Sequence, residues 1–407
     1  MRQFKINISY IAKYIFLFIL LIPFMGISNF QRISQLDHLF FLNNVINKLW
    51  YINVMIIIAY AAYFFLYTRK FLSVSCFLII CIFFYLLLRT LLGGGSGYRN
   101  IITFILLSLF GEICLLKKRE NFLIFVDTIN MFIIINFVFI VRYIGQGGLV
   151  YWSVREQRTW KGYYLLGYDN GFIIIILPLI CFSLILYRET GRKKYIIILV
   201  IQILSEVLVK SAAALIALIC FGVFTLLQNN KLFIKIFYKP WNILFLYFAC
   251  FYGFVVLKVQ YVINSVIYFL FKKGLDTTRW RLWNEGLEKA EKSWIFGYGY
   301  RTEIFGKNYL TPHNMFLEWL TQGGIIEFFG YFVLIYLTLK QLNKHIETYQ
   351  AKVLFNGIIA FMFAYMAEGY SMYMSYWLFL IVLLLSSRLG NLRYLFNCKQ
   401  LNVSVEK

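Results

Sequence analysis

Apolar runs close to a membrane thickness recur along this chain, broken by short polar stretches. They read as Ile11–Ile27, Tyr51–Tyr67, Phe71–Leu88, Ile101–Leu116, Phe122–Val141, Gly171–Tyr187, Tyr195–Val209, Ala212–Leu227, Trp241–Leu257, Ile325–Leu339, Val353–Met366 and Tyr373–Ser387. A span needs about 20 apolar residues, so the shorter runs must extend into their flanks. The pattern predicts an all-α polytopic integral membrane protein of about twelve transmembrane helices, residues 1–407 forming one membrane domain. The first run lacks a small-residue cleavage site and is expected to be a span rather than a removed signal. Tyr195–Leu227 is read as two spans joined by a tight turn at Lys210-Ser211. A single long helix there would invert everything downstream.

Basic residues then set the orientation. With the amino terminus inside, Arg69-Lys70, Lys117-Lys118-Arg119, Arg188 with Arg192-Lys193-Lys194, Lys231/Lys235/Lys239 and Lys340/Lys344/Lys352 all fall on inner connections. Two long outer loops remain, Arg142–Asn170 and Lys258–Pro312. Outer loops have no orientation reason to carry cations. Arg142, Arg155, Arg158 and Lys161 in the first, and Lys272, Lys273, Arg279, Arg281, Lys289, Lys292, Arg301 and Lys307 in the second, therefore point to an anionic partner. Tyr261–Phe271 is expected to lie in the membrane interface ahead of the second loop proper.

Composition agrees: the chain is 61% hydrophobic and 14% charged, outside the range of soluble domains. Its formal charge of +22 sits between spans rather than along one face, which suits lipid headgroups and argues against a nucleic-acid partner. The seven cysteines form no CxxC, and the three histidines form no HExxH. Neither a disulfide framework nor a metal site is indicated, and no cofactor is implied.

Residues 258–324 form the long extracytoplasmic loop, and its heart, Asp276–Gly324, is the longest polar segment. It carries Asp276, Glu285, Glu288, Glu291, Glu303 and Glu318, with Glu327 just beyond. It reads as two helices around Gly297-Tyr-Gly299. Asp276, Thr277 or Thr278 caps the first, whose apolar stripe is Trp280, Trp283, Leu287, Ala290 and Trp294. Arg279 stands at the edge of that stripe with Trp283 and Gly286. The solvated side carries the i,i+4 pairs Arg281–Glu285, Glu285–Lys289 and Glu288–Lys292. The second helix is expected to start at Thr311-Pro312, to hold His313 and Asn314 in its first turn, and to end at Gly323-Gly324.

His313 is the sharpest candidate, a histidine at a helix start in the loop that also holds Arg279. Glu112, Asp127, Glu206 and Glu327 lie inside spans, where ionisable groups signal ion or proton paths. Glu112 and Asp127 sit close to the inner basic loops, and Glu206 is expected to pair with Lys210. GGGSG at Gly93–Gly97 lacks the lysine and strand–helix context of a phosphate loop and reads as a turn.

Arg279-x-x-x-Trp283, then Gly297-Tyr-Gly299, then His313-Asn314 ahead of an apolar helix and Gly323-Gly324-Ile325-Ile326, resembles the O-antigen polymerase and O-antigen ligase superfamily. Tyr168-Asp169-Asn170-Gly171 is similar to that family's Asp-Pro-Asn start of a span, without the proline. Lys210-Ser211-Ala212-Ala213 stands where members often show Ser-Arg followed by small residues, with the order altered and lysine for arginine. The resemblance covers about residues 165–340.

What it implies is glycan transfer from polyprenyl diphosphate at the outer face of the bacterial cytoplasmic (inner) membrane. A polymerase extends a chain onto another lipid-linked repeat unit; a ligase moves it onto lipid A core. Arg279 would grip the diphosphate, with Lys210 and Arg158 as further cations, and His313 would be the general base. Asn314, Glu318, Asp169 and Trp283 are the remaining substrate-binding candidates. Partners implied are the polyprenyl-diphosphate-linked oligosaccharide, membrane lipids, and flippase and chain-length regulator proteins. A flippase or exporter of the same glycans would instead line a cavity with intramembrane cations, which are few here. A non-catalytic assembly partner would tolerate loss of single polar loop residues.

Overall fold

The computed structural model describes residues 8–27, 30–68, 71–153, 158–257, 277–301, 311–371 and 373–390. The expected interfacial helix at 261–271 and the stretches 258–276 and 302–310 of the long loop lie outside them. In chain order the helices are α1 Ile8–Leu21, α2 Phe41–Thr68, α3 Val74–Leu92, α4 Tyr98–Phe110, α5 Arg119–Tyr143, α6 Ile173–Thr190, α7 Lys194–Val209 and α8 Ala212–Leu227. They continue with α9 Lys231–Phe237, α10 Pro240–Phe251, α11 Thr277–Lys292, α12 Met315–Asn343, α13 Tyr349–Ala367 and α14 Trp377–Arg388.

Each of the twelve apolar runs lies mainly on one of these helices. Among the described residues, six helices are long and apolar enough to cross a membrane, or seven if the bent pair Lys231–Phe237 and Pro240–Val256 counts as one. Ser9–Phe24, Ala212–Leu227 and Met374–Arg388 are apolar but shorter. Phe71, Leu92 and Leu226 are each at least 80% exposed, which in water would be unfavourable and in lipid is the expected outer face. This is a mostly helical membrane protein.

The chain divides into two compact units. The first comprises Met1–Ser73, Leu106–Leu215 and Tyr373–Lys407. Here α7 and α8 break at Lys210-Ser211, where the sequence places the turn, and Lys210 takes the left-handed conformation that ends α7. The expected pair between Lys210 and Glu206 is absent. Glu206 is fully buried, and neither carboxyl oxygen has a hydrogen-bond partner among the described residues. Two of the other lone acids, both in this unit, are paired: Asp127 with Lys194 at 2.6 Å and Glu112 with Arg388 at 2.8 Å.

One feature of this unit departs from a purely helical plan. The long connection between α5 and α6 folds into a small antiparallel sheet, β1 Leu149–Ser153, β2 Arg158–Tyr164 and β3 Gly167–Tyr168, in the order β1-β2-β3. Its residues explain it: Leu-Val-Tyr-Trp and Thr-Trp-Lys-Gly-Tyr-Tyr are rich in β-branched and aromatic side chains. Tyr151 and Tyr163 stack across the strands at 4.4 Å between ring centres. Leu149 seals the sheet onto Phe30, Ile33 and Leu36.

The second unit comprises Val74–Ile105 and Ile216–Met372 and contains the heart of the long loop. Its centre is α12, which is interrupted at Gly324 (φ 64°, ψ −158°). A Cβ at Gly324 would stand 2.2 Å from the Ile295 carbonyl oxygen, so only glycine permits this approach. The interruption frees the carbonyls of Thr321, Gln322 and Gly323 from helical partners, and each finds another. Tyr298 N–H donates to Thr321 and Gly299 N–H to Gln322, at 2.8 and 2.7 Å. The Tyr85 hydroxyl donates to Gly323 at 3.0 Å, and Arg89 Nε holds the Gly297 carbonyl at 3.0 Å. The Gly297-Tyr-Gly299 turn is thus a plug that satisfies a broken helix.

Candidate functional site

Three non-glycine residues have positive φ among the described residues: Lys210 (57°), Arg301 (53°) and His313 (50°). Left-handed backbone costs a side chain of order 1–3 kcal/mol and persists where the surroundings enforce it. Two of the three are candidate site residues.

His313 does not lie in the first turn of a helix. The expected start at Thr311-Pro312 is corrected by three residues: α12 begins at Met315 and Asn314 is its cap. Asparagine wins because its side-chain oxygen accepts from two N–H groups, Phe316 at 3.1 Å and Leu317 at 3.2 Å. Its amide nitrogen donates to the Met366 carbonyl at 3.1 Å. Asn314, fully buried, is therefore spent on holding α12 and the end of α13 together.

That junction brings up a residue the sequence reading missed. Glu368, just past α13, places its carboxylate on His313 Nδ1 in a short hydrogen bond. The histidine side chain is 34% exposed and the glutamate 3%. An ionised carboxylate can only accept, so Nδ1 carries the proton of this bond, and in the neutral imidazole Nε2 is then the basic nitrogen. A carboxylate–imidazole pair of this kind is able to serve as a general base. The sequence signal was a lone acid closing an apolar helix, Ala367-Glu368-Gly369, which was not among the ionisable residues weighed.

Glu318 supports the same segment from below. It is fully buried, and its Oε2 accepts from the Ser371 hydroxyl at 2.6 Å. Gln322 Nε2 donates to the Ser371 hydroxyl oxygen at 3.1 Å. The Tyr300 hydroxyl donates to the Ser371 carbonyl and accepts from Asn100 Nδ2 at 3.1 Å. Burial pushes the Tyr300 phenol above its ordinary range, so it stays a donor. A Cβ at Gly369 would stand 1.7 Å from Glu318 Oε1, so the backbone of 368–371 lies directly on this carboxyl group.

Arg279 lies in the first turn of α11, one turn before Trp283. Trp283 is buried with Val255 and Leu317, which seats α11 against the start of α12. Its indole packs in protein in this structure. Trp294, expected on the same stripe, falls beyond the helix and is 57% exposed. The surface pairs Arg281–Glu285 (3.5 Å) and Glu288–Lys292 (2.6 Å) form as expected.

Lys210, Asp169 and Arg158 belong to the other unit. Asp169 opens a short turn ahead of α6, its carboxylate accepting from Asn170 N–H at 2.6 Å. The Asn170 side-chain oxygen accepts from the Ser211 hydroxyl at 3.0 Å, tying that turn to exposed Lys210. The two motifs thus support one another within their own unit. Arg158 begins β2.

A family model described as O-antigen ligase matches residues 163–332. Curated proteins and solved structures yield no match. The matched stretch contains Asp169, Lys210, Arg279, His313, Asn314 and Glu318, and stops short of Glu368. Over that stretch the chain is similar to the O-antigen ligase family.

Proposed function

We propose that this protein is a polymerase of lipid-linked oligosaccharide repeat units, for O-antigen or capsular polysaccharide. In this reading the chain has twelve spans in the bacterial cytoplasmic membrane and works at the outer face. His313 Nε2 takes the proton of an acceptor sugar hydroxyl as its oxygen bonds to the anomeric carbon. The bond from that carbon to the polyprenyl diphosphate breaks, and the diphosphate leaves with the electron pair. Arg279 meets the growing charge with a planar fork, a role a metal ion fills in other transferases. Within the other unit, Asp169 and Asn170 support the turn that carries Lys210.

The observation that supports this reading most is the Glu368–His313 pair, whose histidine lies inside the family-matched region. Asn314 and Glu318, first expected to touch substrate, serve in this reading by holding His313 and Glu368 in place. A ligase that moves finished glycan onto lipid A core is the second reading, favoured by the description of the matched family. Deletion separates them. Loss of a polymerase leaves surface glycan one repeat unit long, whereas loss of a ligase leaves full-length chains on the lipid carrier. Surface glycan of normal length and attachment would refute both readings.

A further inference from the structure

The second unit carries an apolar groove that the transfer reaction does not use. It lies at the 70° bend between α9 and α10. Asn230 caps α9, accepting from Phe233 N–H at 3.1 Å, and Pro240 restarts the chain as the first residue of α10. Proline forces the preceding residue to be extended, which Lys239 is, so the two helices cannot merge. The bend leaves a cavity of about 540 Å³ lined by Ile236, Phe237, Trp241, Asn242, Phe245 and Leu246. That volume is within the usual range of about 300–1,000 Å³ for small-ligand sites.

Its chemistry is two-sided. Trp241 and Phe245 are 67% and 76% exposed. Exposed Lys231 and Lys235 lie on α9 and exposed Lys239 in the turn to α10, and no Asp or Glu occurs anywhere from 216 to 257. Lys340 adds a fourth cation: it lies over the Tyr336 ring, which in turn contacts Trp241 at 4.7 Å between ring centres. An apolar slot between helices that carry exposed lysines and no acid of their own suits a molecule with a hydrocarbon tail and an anionic head.

We propose that this groove binds an anionic phospholipid, its acyl chain in the bend and its phosphate against Lys235 and Lys239. The place argues against its being the donor site. The groove occupies the first turns of α10, whereas Phe251, and Val255 just past its end, pack with Trp283 and Leu317 beside the candidate site. Trp241 and Val255 are separated by roughly 20 Å of helix.

The test uses the purified full chain, exchanged into micelles containing equal phosphatidylglycerol and phosphatidylcholine, with bound lipid read by native mass spectrometry. Phosphatidylglycerol should be retained in preference. Lys235→Gln and Lys239→Gln should each lower that retention about fivefold, the worth of one cation near an anionic lipid. Both lysines are exposed, so the variants should remain folded. As an independent measurement, phosphatidylglycerol with a photoreactive acyl chain should label the peptide containing Ile236–Leu246. Equal retention of both lipids, undiminished retention in the double variant, labelling spread evenly over the spans, or displacement by equimolar polyprenyl phosphate would each overturn the proposal.

Discussion

Glu368 meets His313 across 55 positions of chain, and the histidine arrives there in left-handed backbone. Neither feature is needed to pack a membrane helix; together they aim an imidazole. If Glu368 acts through His313, removing either side chain removes the same catalytic unit. Glu368→Ala and His313→Ala should each lower transfer by about a hundredfold or more, the usual worth of a positioned base. The double variant should be little worse than His313→Ala, because residues that act as one are not additive. Glu368→Gln, which still offers an acceptor to Nδ1–H, should fall between. Product length in membranes with matched protein amounts is the readout. Independent, multiplying losses would show that Glu368 does not work through the histidine.

The Glu318–Ser371 contact makes a different kind of prediction, about stability. Ser371→Ala leaves a buried carboxyl without its hydroxyl donor and should cost about 1–3 kcal/mol. Gly369→Ala should be worse, since its Cβ would collide with Glu318. Shortening the glutamate removes that collision, so Glu318→Ala should partly rescue Gly369→Ala. Thermal unfolding in detergent checks this. Equal damage by Gly369→Ala with and without Glu318 would mean the backbone, not the contact, is at fault.

Much of the helical plan was legible because apolar runs of membrane length leave a chain few choices. The break at Lys210-Ser211 and the Gly323-Gly324 interruption could also be read from short polar and glycine signals. The start of α12 could not. Thr311-Pro312 is a good opening locally, but Asn314 satisfies two N–H groups and the Met366 carbonyl at once, and that carbonyl is distant in sequence. Glu368 was hidden for the same reason: its meaning is its partner, and pairing over 55 positions leaves no local pattern. The sheet at Leu149–Tyr168 is the opposite case, since its alternating aromatic residues were present in a segment read only as a loop.

The orientation of the membrane region can be tested on two exposed lysines, Lys292 at the end of α11 and Lys344 after α12. In a background without the native cysteines, Lys292→Cys should react with a membrane-impermeant thiol reagent in intact spheroplasts. Lys344→Cys should react only after the membrane is opened. Both side chains are exposed, so a silent cysteine reports the side of the membrane rather than burial. The reverse pattern would turn the basic connections outward and remove the outer-face site.

Arg279 carries the sharpest prediction because lysine retains its charge. α11 is seated against α12 by Trp283 and Leu317, so the first turn of α11 is anchored close to the helix that carries the His313 segment. A guanidinium offers two parallel donors to a phosphate, and an ammonium offers a point charge on a flexible stem. If the fork is what stabilises the leaving diphosphate, Arg279→Lys should be nearly as impaired as Arg279→Ala. The loss should be on the order of 3 kcal/mol, or about a hundredfold in rate, expressed in kcat more than in KM. If Arg279 only supplies positive potential, lysine should restore most of the rate and the loss should appear in KM. Purified lipid-linked repeat units, turned over by each variant at matched protein amounts, separate the two cases. Near-wild-type polymerisation by Arg279→Lys would remove the fork from the mechanism.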